Sequence, residues 1–576
     1  MKLTCRRKRT VGLIATSLAA LVWTTVLLIL LRGPAPAQAS PAAVTHCVAP
    51  SGWCGYSPCQ SAFGRCHTTI QAAVDAASPG DEIRVEQGHY NDVHVRDNAV
   101  QVVQVDKDLT IRGGYDNSFQ QSFPLTQPTV VDAEGQGRVI YVRQYISATI
   151  EGLWVTGGNA AHAIQSAHQG GGIYSYGATL NIANNVIRHN VATTSTGVTG
   201  YGGGIYVHGS AVISGNRVIS NVASTSCRGN GGGLYISYAD GVHVINNQVL
   251  SNTGTITGGQ GYAGGIYLIH SDGAVVDGNH VEYNLAQARL ASFDGAFGGG
   301  IVCYYSDDAV FRNNVIRHNT ANAQMYSGGG GGIEIGASDR VRVQSNTLEY
   351  NTASMTASGW GGGLRASGSH DLLIDANRVL SNSAILGAGL HLVSDSSFTM
   401  TNNVVAANLS SYEGGGMAFS VGAPDGVTGT LLHNTFAAND RGSGEGRSAI
   451  QIDDPRVSLI LTNNLIYSHT YGVIVDTDSA VRLYNTLFYA NDSDTVGAGE
   501  IINTDPITGQ DPLMDADFHL LAGSPAIDAG GDAGVRTDID GDSRPEDGDM
   551  DGAAVVDLGA DEFTPHRIYL PLVVKD

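Results

Sequence analysis

"GGGIYVHGSAVISGNRVISN", residues 202–221, alternates apolar and polar residues over two short stretches parted by glycine. A period of two marks a strand with one buried face. Glycine at this density would cost a helix about 1 kcal/mol per residue relative to alanine, so strands and turns are expected instead. The pattern returns roughly every 31 residues. Glycine-rich steps precede Ile173, Ile205, Leu234, Ile266, Ile301, Ile333, Leu364, Leu390 and Met417. Asparagines follow at Asn185, Asn216, Asn247, Asn279, Asn314, Asn346, Asn377, Asn403, Asn434, Asn464 and Asn485, and a second series runs from Asn190 to Asn439. One unit cannot bury its own apolar face, so the units must stack and their ends must be capped. The expected fold is all-β: a right-handed parallel β-helix solenoid with a short N-terminal capping helix and a small C-terminal cap.

Asparagine tolerates left-handed backbone, and in register from coil to coil its amides can form a hydrogen-bonded ladder. Most units keep 14 residues from glycine to the first asparagine, whereas the stretch back to the next glycine ranges from 16 (Asn284 to Gly300) to 7 (Asn382 to Gly389). Length variation is thus confined to one corner, which in repeat proteins commonly carries the binding loops. Residues 68–78 read as a short amphipathic helix ended by Pro79 and Gly80, followed by strands near 83–85, 108–112, 128–132, 138–143 and 148–155. Some 14 or 15 coils at about 4.8 Å each would make a rod roughly 70 Å long.

Residues 1–39 read as an address: a basic start (Lys2, Arg6, Arg7, Lys8, Arg9), an apolar run from Val11 to Leu31, and Ala37-Gln38-Ala39 as a cleavage site. The run is also long enough for an uncleaved anchor. Removing the six basic and no acidic residues of 1–39 takes the net charge from −22 to −28. Such a surface is unsuited to nucleic acid or anionic lipid. Cys47, Cys54, Cys59 and Cys66 crowd one segment and fit two disulfides of open pairing, in keeping with export. Without a CxxC pair, zinc is the lesser reading. Cys227 and Cys303 are expected as isolated buried thiols. The chain then divides into 1–39, a disulfide-rich N-terminal cap at 40–82, the β-helix at 83–510 and an Asp-rich cap or anchor segment at 511–576.

"TIQAAVDAASPGDEIRVEQGHY" (69–90) resembles the opening of pectin-lyase-like right-handed β-helix proteins, and the repeats are similar to those of bacterial surface adhesins. "FHLLAGSPAIDAGG" and the acidic stretch after it, within 518–563, resemble the C-terminal segment of secreted choice-of-anchor Q type β-helix proteins. The resemblance implies fold strongly and activity weakly, because the scaffold hosts enzymes and non-enzymes alike.

If Ile173 and its equivalents point inward, the next residue of each coil points outward. That row reads Tyr174, Tyr206, Tyr235, Tyr267, Val302, Glu334, Arg365, His391 and Ala418. Tyrosines of such a row suit sugar rings, which makes Tyr174, Tyr206, Tyr235 and Tyr267 the candidate ligand-binding residues. Glu334, Arg365 and His391 are the candidate catalytic residues of a lyase, with Arg365 or His391 as base and Glu334 holding a cation. The plainer alternative is an exposed ladder in which Glu334 and Arg365 pair and the tyrosines stack. A glycosidase needs two carboxylates, and Glu334 lacks a partner on this row. Motifs of polygalacturonase-like proteins are absent or out of order: Asn503-Thr504-Asp505 follows Asp453-Asp454, and there is no Gly-His-Gly or Arg-Ile-Lys. Asp538, Asp540, Asp542, Asp547, Asp549 and Asp551 form the candidate structural Ca²⁺ site, against a solvated acidic turn. Residues 567–575 read as a final strand or an attachment signal.

The function read from these features is a secreted or cell-surface β-helix that binds polysaccharide or another surface component along its tyrosine-lined face. A polysaccharide lyase or glycoside hydrolase acting on extracellular glycan, and a purely structural adhesin or spacer, are the alternatives.

Overall fold

The computed structural model describes residues 43–565, less 55–58, 60–64, 164–167, 258, 290–294, 324–326, 355–357, 423–425 and 440–447. The chain divides into residues 1–43 and a compact unit of residues 44–576. The address expected at 1–39 and the strand expected at 567–575 lie outside the described residues. Among the described residues no helix is long and apolar enough to cross a membrane.

The coils expected from the repeat are present. Three sheets of 17, 15 and 15 strands run the length of the solenoid. In one coil the third sheet takes Ile205–His208, the first Ala211–Ser214 and the second Arg217–Ile219. Each strand pairs in parallel with its equivalent in the next coil, as Ile205 with Leu234 and Val218 with Val249. Ile205, Ile213 and Val218 are fully buried, and their equivalents merge into one continuous apolar core. Alternation places one residue inside and the next outside, as the period of two requires.

Both asparagine series form the ladders their spacing predicts. Asn221 donates from Nδ2 to Oδ1 of Asn252 at 3.0 Å, and its own backbone N–H donates to the same oxygen at 2.9 Å. Its second amide hydrogen goes back to the carbonyl of Ile187 at 2.9 Å. A buried polar side chain is tolerable because every hydrogen-bonding group has a partner. The marker at Asn485 is a correction: it aligns with Asn463, and Thr486 stands opposite Asn464. Gly203 is required by close approach, since a β-carbon there would come within 2.5 Å of the Val222 carbonyl oxygen.

The variable corner is more ordered than a set of loops. It forms two further ladders, of five and eight short strands, such as Val191–Thr193 and Gly200–Tyr201. The helix at the N-terminal end spans Ile70–Ala76, with Thr69 capping it through a bond from Ala72 N–H. Disulfides Cys47–Cys59 and Cys54–Cys66 hold the preceding segment. Cys303 is buried as expected, while Cys227 is half-buried. The C-terminal segment packs against the outer face of the second sheet, where Leu520, Ala526 and Leu558 meet Leu465 and Leu487.

Candidate functional site

The row predicted to point outward is in register from Tyr174 to Ala418. Its tyrosines stack face to face, with ring centroids 5.2 Å apart from Tyr174 to Tyr206 to Tyr235 to Tyr267. The row is not an open face, however: Tyr174, Tyr206 and Tyr267 are only 3%, 6% and 6% exposed. The short strands of the variable corner fold back over it. Tyr201 meets Tyr235 edge-on at 5.2 Å, and Tyr262 meets Tyr267 edge-on at 6.2 Å. Burial pushes the Tyr206 phenol up to about 12 and that of Tyr235 higher still. With ring faces taken by neighbouring rings and edges roofed, Tyr235 and Tyr267 offer no stacking platform for a sugar. The first end of the row opens into a hollow of about 420 Å³ lined by Asp97, Tyr141, Arg143, Gln144, Tyr174 and Tyr206.

The residues of the expected catalytic cluster are covered as well. Glu334 and His391 are each 1% exposed. Glu334 is ion-paired through Oε1 with Nη1 of Arg365, and Tyr304 donates its hydroxyl to the same oxygen at 3.4 Å. The Arg365 guanidinium lies 5.8 Å from the ring of Phe297 and 5.9 Å from that of Trp360, both from the covering strands. His391 bonds the Ser420 hydroxyl at 2.9 Å. Burial raises the Glu334 pKa and depresses that of His391 well below the usual imidazole range, the Arg365 charge adding to the latter. The Glu334–Arg365 pair of the ladder alternative is present, but it is largely buried rather than exposed.

The six aspartates of the expected Ca²⁺ site are not brought together. Asp538 spends Oδ1 on the N–H groups of Asp540 and Asp542, at 3.0 and 2.8 Å, and Oδ2 on that of Glu562 at 3.1 Å. Asp549 and Asp551 each accept the N–H two residues on, both at 2.9 Å. Asp540 instead sits with His519 and Asp561, and Asp547 and Asp549 sit with Asp528. Hydrogen bonding by Asp540 raises the His519 imidazole to about 9, and burial raises Asp561 to about 6.

One groove is a feature that the repeat does not announce. A groove of about 850 Å³ follows the corner between the first and second sheets over the early coils. Its floor carries the exposed side chains of Asn184, Arg217, Asn246 and Gln248, one set per coil. Its wall is the connection between strands Leu109–Tyr115 and Thr129–Asp132, which presents Phe123 and Leu125 at 46% and 60% exposure. Three bonds pin that wall: Trp154 Nε1 to the Pro124 carbonyl at 3.0 Å, Ser122 Oγ to the Gly113 carbonyl at 2.7 Å, and Phe123 N–H to the Gly114 carbonyl at 2.7 Å. Gly114 takes φ +78°, and a β-carbon on it would come within 2.6 Å of Pro124. At the groove's end Arg112 bridges Glu82 at 2.7 Å and Glu151 at 2.8 Å. An apolar wall facing amide and guanidinium groups is the usual make-up of a small-molecule or saccharide site.

A second feature also escaped the sequence reading. Tyr176, His208, Tyr238, His270 and Tyr305 form an aromatic strip, centroids 4.1 to 5.1 Å apart and stacked at every step but the tilted His208–Tyr238 one, along the corner after the third sheet. Its tyrosines are 47%, 59% and 53% exposed.

The model of the family described as "Right handed beta helix region" matches residues 140–362 and 320–454. No curated protein matches the chain. Several solved structures are similar at low identity. The catalytic unit of the thermostable GH87 α-1,3-glucanase of Streptomyces thermodiastaticus strain HF3-3 is 13% identical, with 76% of this chain and 66% of that one covered, at a TM-score of 0.36. The A-module of the Azotobacter vinelandii mannuronan C-5 epimerase AlgE6 is 11% identical over 77% of this chain and 94% of its own, at 0.34. Pectate lyase Pel9A is 14% identical over 90% and 96%, at 0.29.

Proposed function

This chain belongs to the right-handed β-helix family, and from that premise we propose that it is an exported glycan-binding protein. It holds a stretch of polysaccharide in the groove beneath residues 122–126 and leaves the glycan uncut. The observation that carries the reading is the groove itself. Its floor is a repeating row of exposed hydrogen-bonding side chains (Asn184, Arg217, Asn246, Gln248), and its wall is apolar. A coil repeat near 4.8 Å is close to the length of one sugar residue, so a linear glycan meets a new set of donors at about each coil. The two disulfides support export.

Binding is favoured over turnover by the carboxylates. Among the described residues lining the groove Glu151 is the one carboxylate, and Arg112 holds it at 2.8 Å. Glycoside hydrolysis ordinarily calls for two carboxyl groups across the bond. The test is a panel of immobilised neutral and acidic glycans, followed by sizing of any bound glycan after prolonged incubation. The reading expects one glycan class retained at unchanged chain length. Shortened chains, or no glycan retained, would overturn it.

A further inference from the structure

We propose that His519, Asp540 and Asp561 form a site for one divalent transition-metal ion, of the zinc or manganese kind, that ties together the C-terminal segment. One donor atom from each of the three lies within 4.8 Å of the other two. His519 Nε2 and Asp540 Oδ2 are 2.9 Å apart. Asp561 is 4% exposed and receives the Leu520 N–H at Oδ2, at 2.7 Å. Its other oxygen, Oδ1, is buried without a hydrogen-bond partner. A carboxylate oxygen left so is costly unless something fills the space before it. Beside it lies a cavity of about 140 Å³ lined by Asp515, His519, Asp561 and Glu562 among others.

The surroundings are built to hold the imidazole. Asp515 accepts the His519 backbone N–H at Oδ1, at 2.9 Å, and its Oδ2 lies 3.3 Å from His519 Nδ1. A carboxylate on one ring nitrogen orients the other toward a metal. Arg378 of the solenoid lies 3.7 Å from Asp540 Oδ1 and 3.5 Å from His519 Nε2, so Asp540 meets the guanidinium with one oxygen and the imidazole with the other. An imidazole with two carboxylates suits zinc, manganese or iron, whereas calcium takes six to eight oxygens. The ion also has a structural purpose. The three ligands lie 21 residues apart in turn, in a segment that has no strand after Ile507–Thr508 among the described residues. Such irregular segments are commonly stapled by metals.

Metal binding at this site is independent of glycan binding. Full-length protein is stripped with a chelator and titrated at pH 7 with ZnCl₂, MnCl₂, CoCl₂ and CaCl₂, by calorimetry and by thermal unfolding. One zinc or manganese ion per chain, a raised Tm and a visible cobalt absorption are expected. His519→Gln and Asp561→Asn should each weaken that binding at least tenfold, while Asp549→Asn, in the other acidic group, leaves it unchanged. No stoichiometric zinc, manganese or cobalt binding by the wild-type chain would overturn the site. So would calcium binding alone, or zinc binding indifferent to both substitutions. The wild-type cobalt spectrum decides the matter even if a variant fails to fold.

Discussion

Glu334 and Arg365, on adjacent coils, form an ion pair whose side chains are 1% and 15% exposed beneath Phe297 and Trp360. Such a pair is strongly destabilising to break, because the surviving charge stays buried alone. Arg365→Ala should therefore lower stability by about 3–5 kcal/mol in chemical denaturation. The double variant Glu334→Gln with Arg365→Met should cost less than Arg365→Ala alone. Neither change should alter glycan affinity in protein that folds, since the pair is structural.

The ladders make a similar claim about asparagine. Asn252 accepts the backbone N–H and the amide of Asn221, and donates to the Val218 carbonyl at 2.8 Å and to Asn284 at 3.0 Å. Asn252→Ala leaves several of these groups without partners, each worth about 1–3 kcal/mol when buried. A loss of about 3 kcal/mol or more is expected by urea titration. Gln248→Ala, on the exposed face nearby, should stay within about 0.5 kcal/mol of wild type.

Acid should destabilise the later coils through two histidines. His433 is fully buried, with Nδ1 3.0 Å from the Asp557 carbonyl and Nε2 2.9 Å from the Asn463 amide. His469 is 2% exposed and receives the Asn439 amide at 3.2 Å. Burial pushes both imidazoles down to about 3. The folded chain keeps them neutral while the unfolded chain protonates them near 6.5. Their contribution is thus complete above about pH 6.5 and is lost as pH falls toward 3, at about 1.4 kcal/mol per pH unit for each. Tm measured from pH 7 to pH 4 reads this loss against the opposite trend of Asp557 and Asp561, which burial raises to about 8 and about 6. His469→Asn, which places the ladder residue there, should flatten the slope by one proton.

The groove wall depends on its pins. Trp154→Phe removes the 3.0 Å bond to the Pro124 carbonyl while keeping an aromatic ring under the loop. A single hydrogen bond nets about 0.5–1.5 kcal/mol. Glycan affinity should fall several-fold by calorimetry, with thermal stability nearly unchanged.

The fold was legible because stacking imposes register. Strand period, glycine steps and both asparagine series repeat at fixed offsets, and each offset became a ladder or a buried column. The site was not, because the exposure of an outward row depends on what covers it. The covering residues carried a signal of their own: Tyr201, Asn230, Tyr262, Phe297, Gly329 and Trp360 each stand two residues before the glycine pair. That largely aromatic column pairs coil to coil and closes over Tyr235, Glu334 and Arg365. The alternating aspartates misled for a local reason. An aspartate readily accepts the N–H two residues on, so Asp538, Asp549 and Asp551 shape turns. The groove wall comes from one early connection outside the repeat, which periodicity could not reveal.

The most direct test is calorimetric titration of the retained oligosaccharide against three proteins: wild type, the Arg217→Ala and Gln248→Ala double variant, and Tyr235→Phe. Loss of two hydrogen-bonding side chains from the groove floor predicts affinity at least tenfold weaker in the double variant. Tyr235→Phe, altering the roofed row, should bind as wild type does. Undiminished binding by the groove variant would contradict the account.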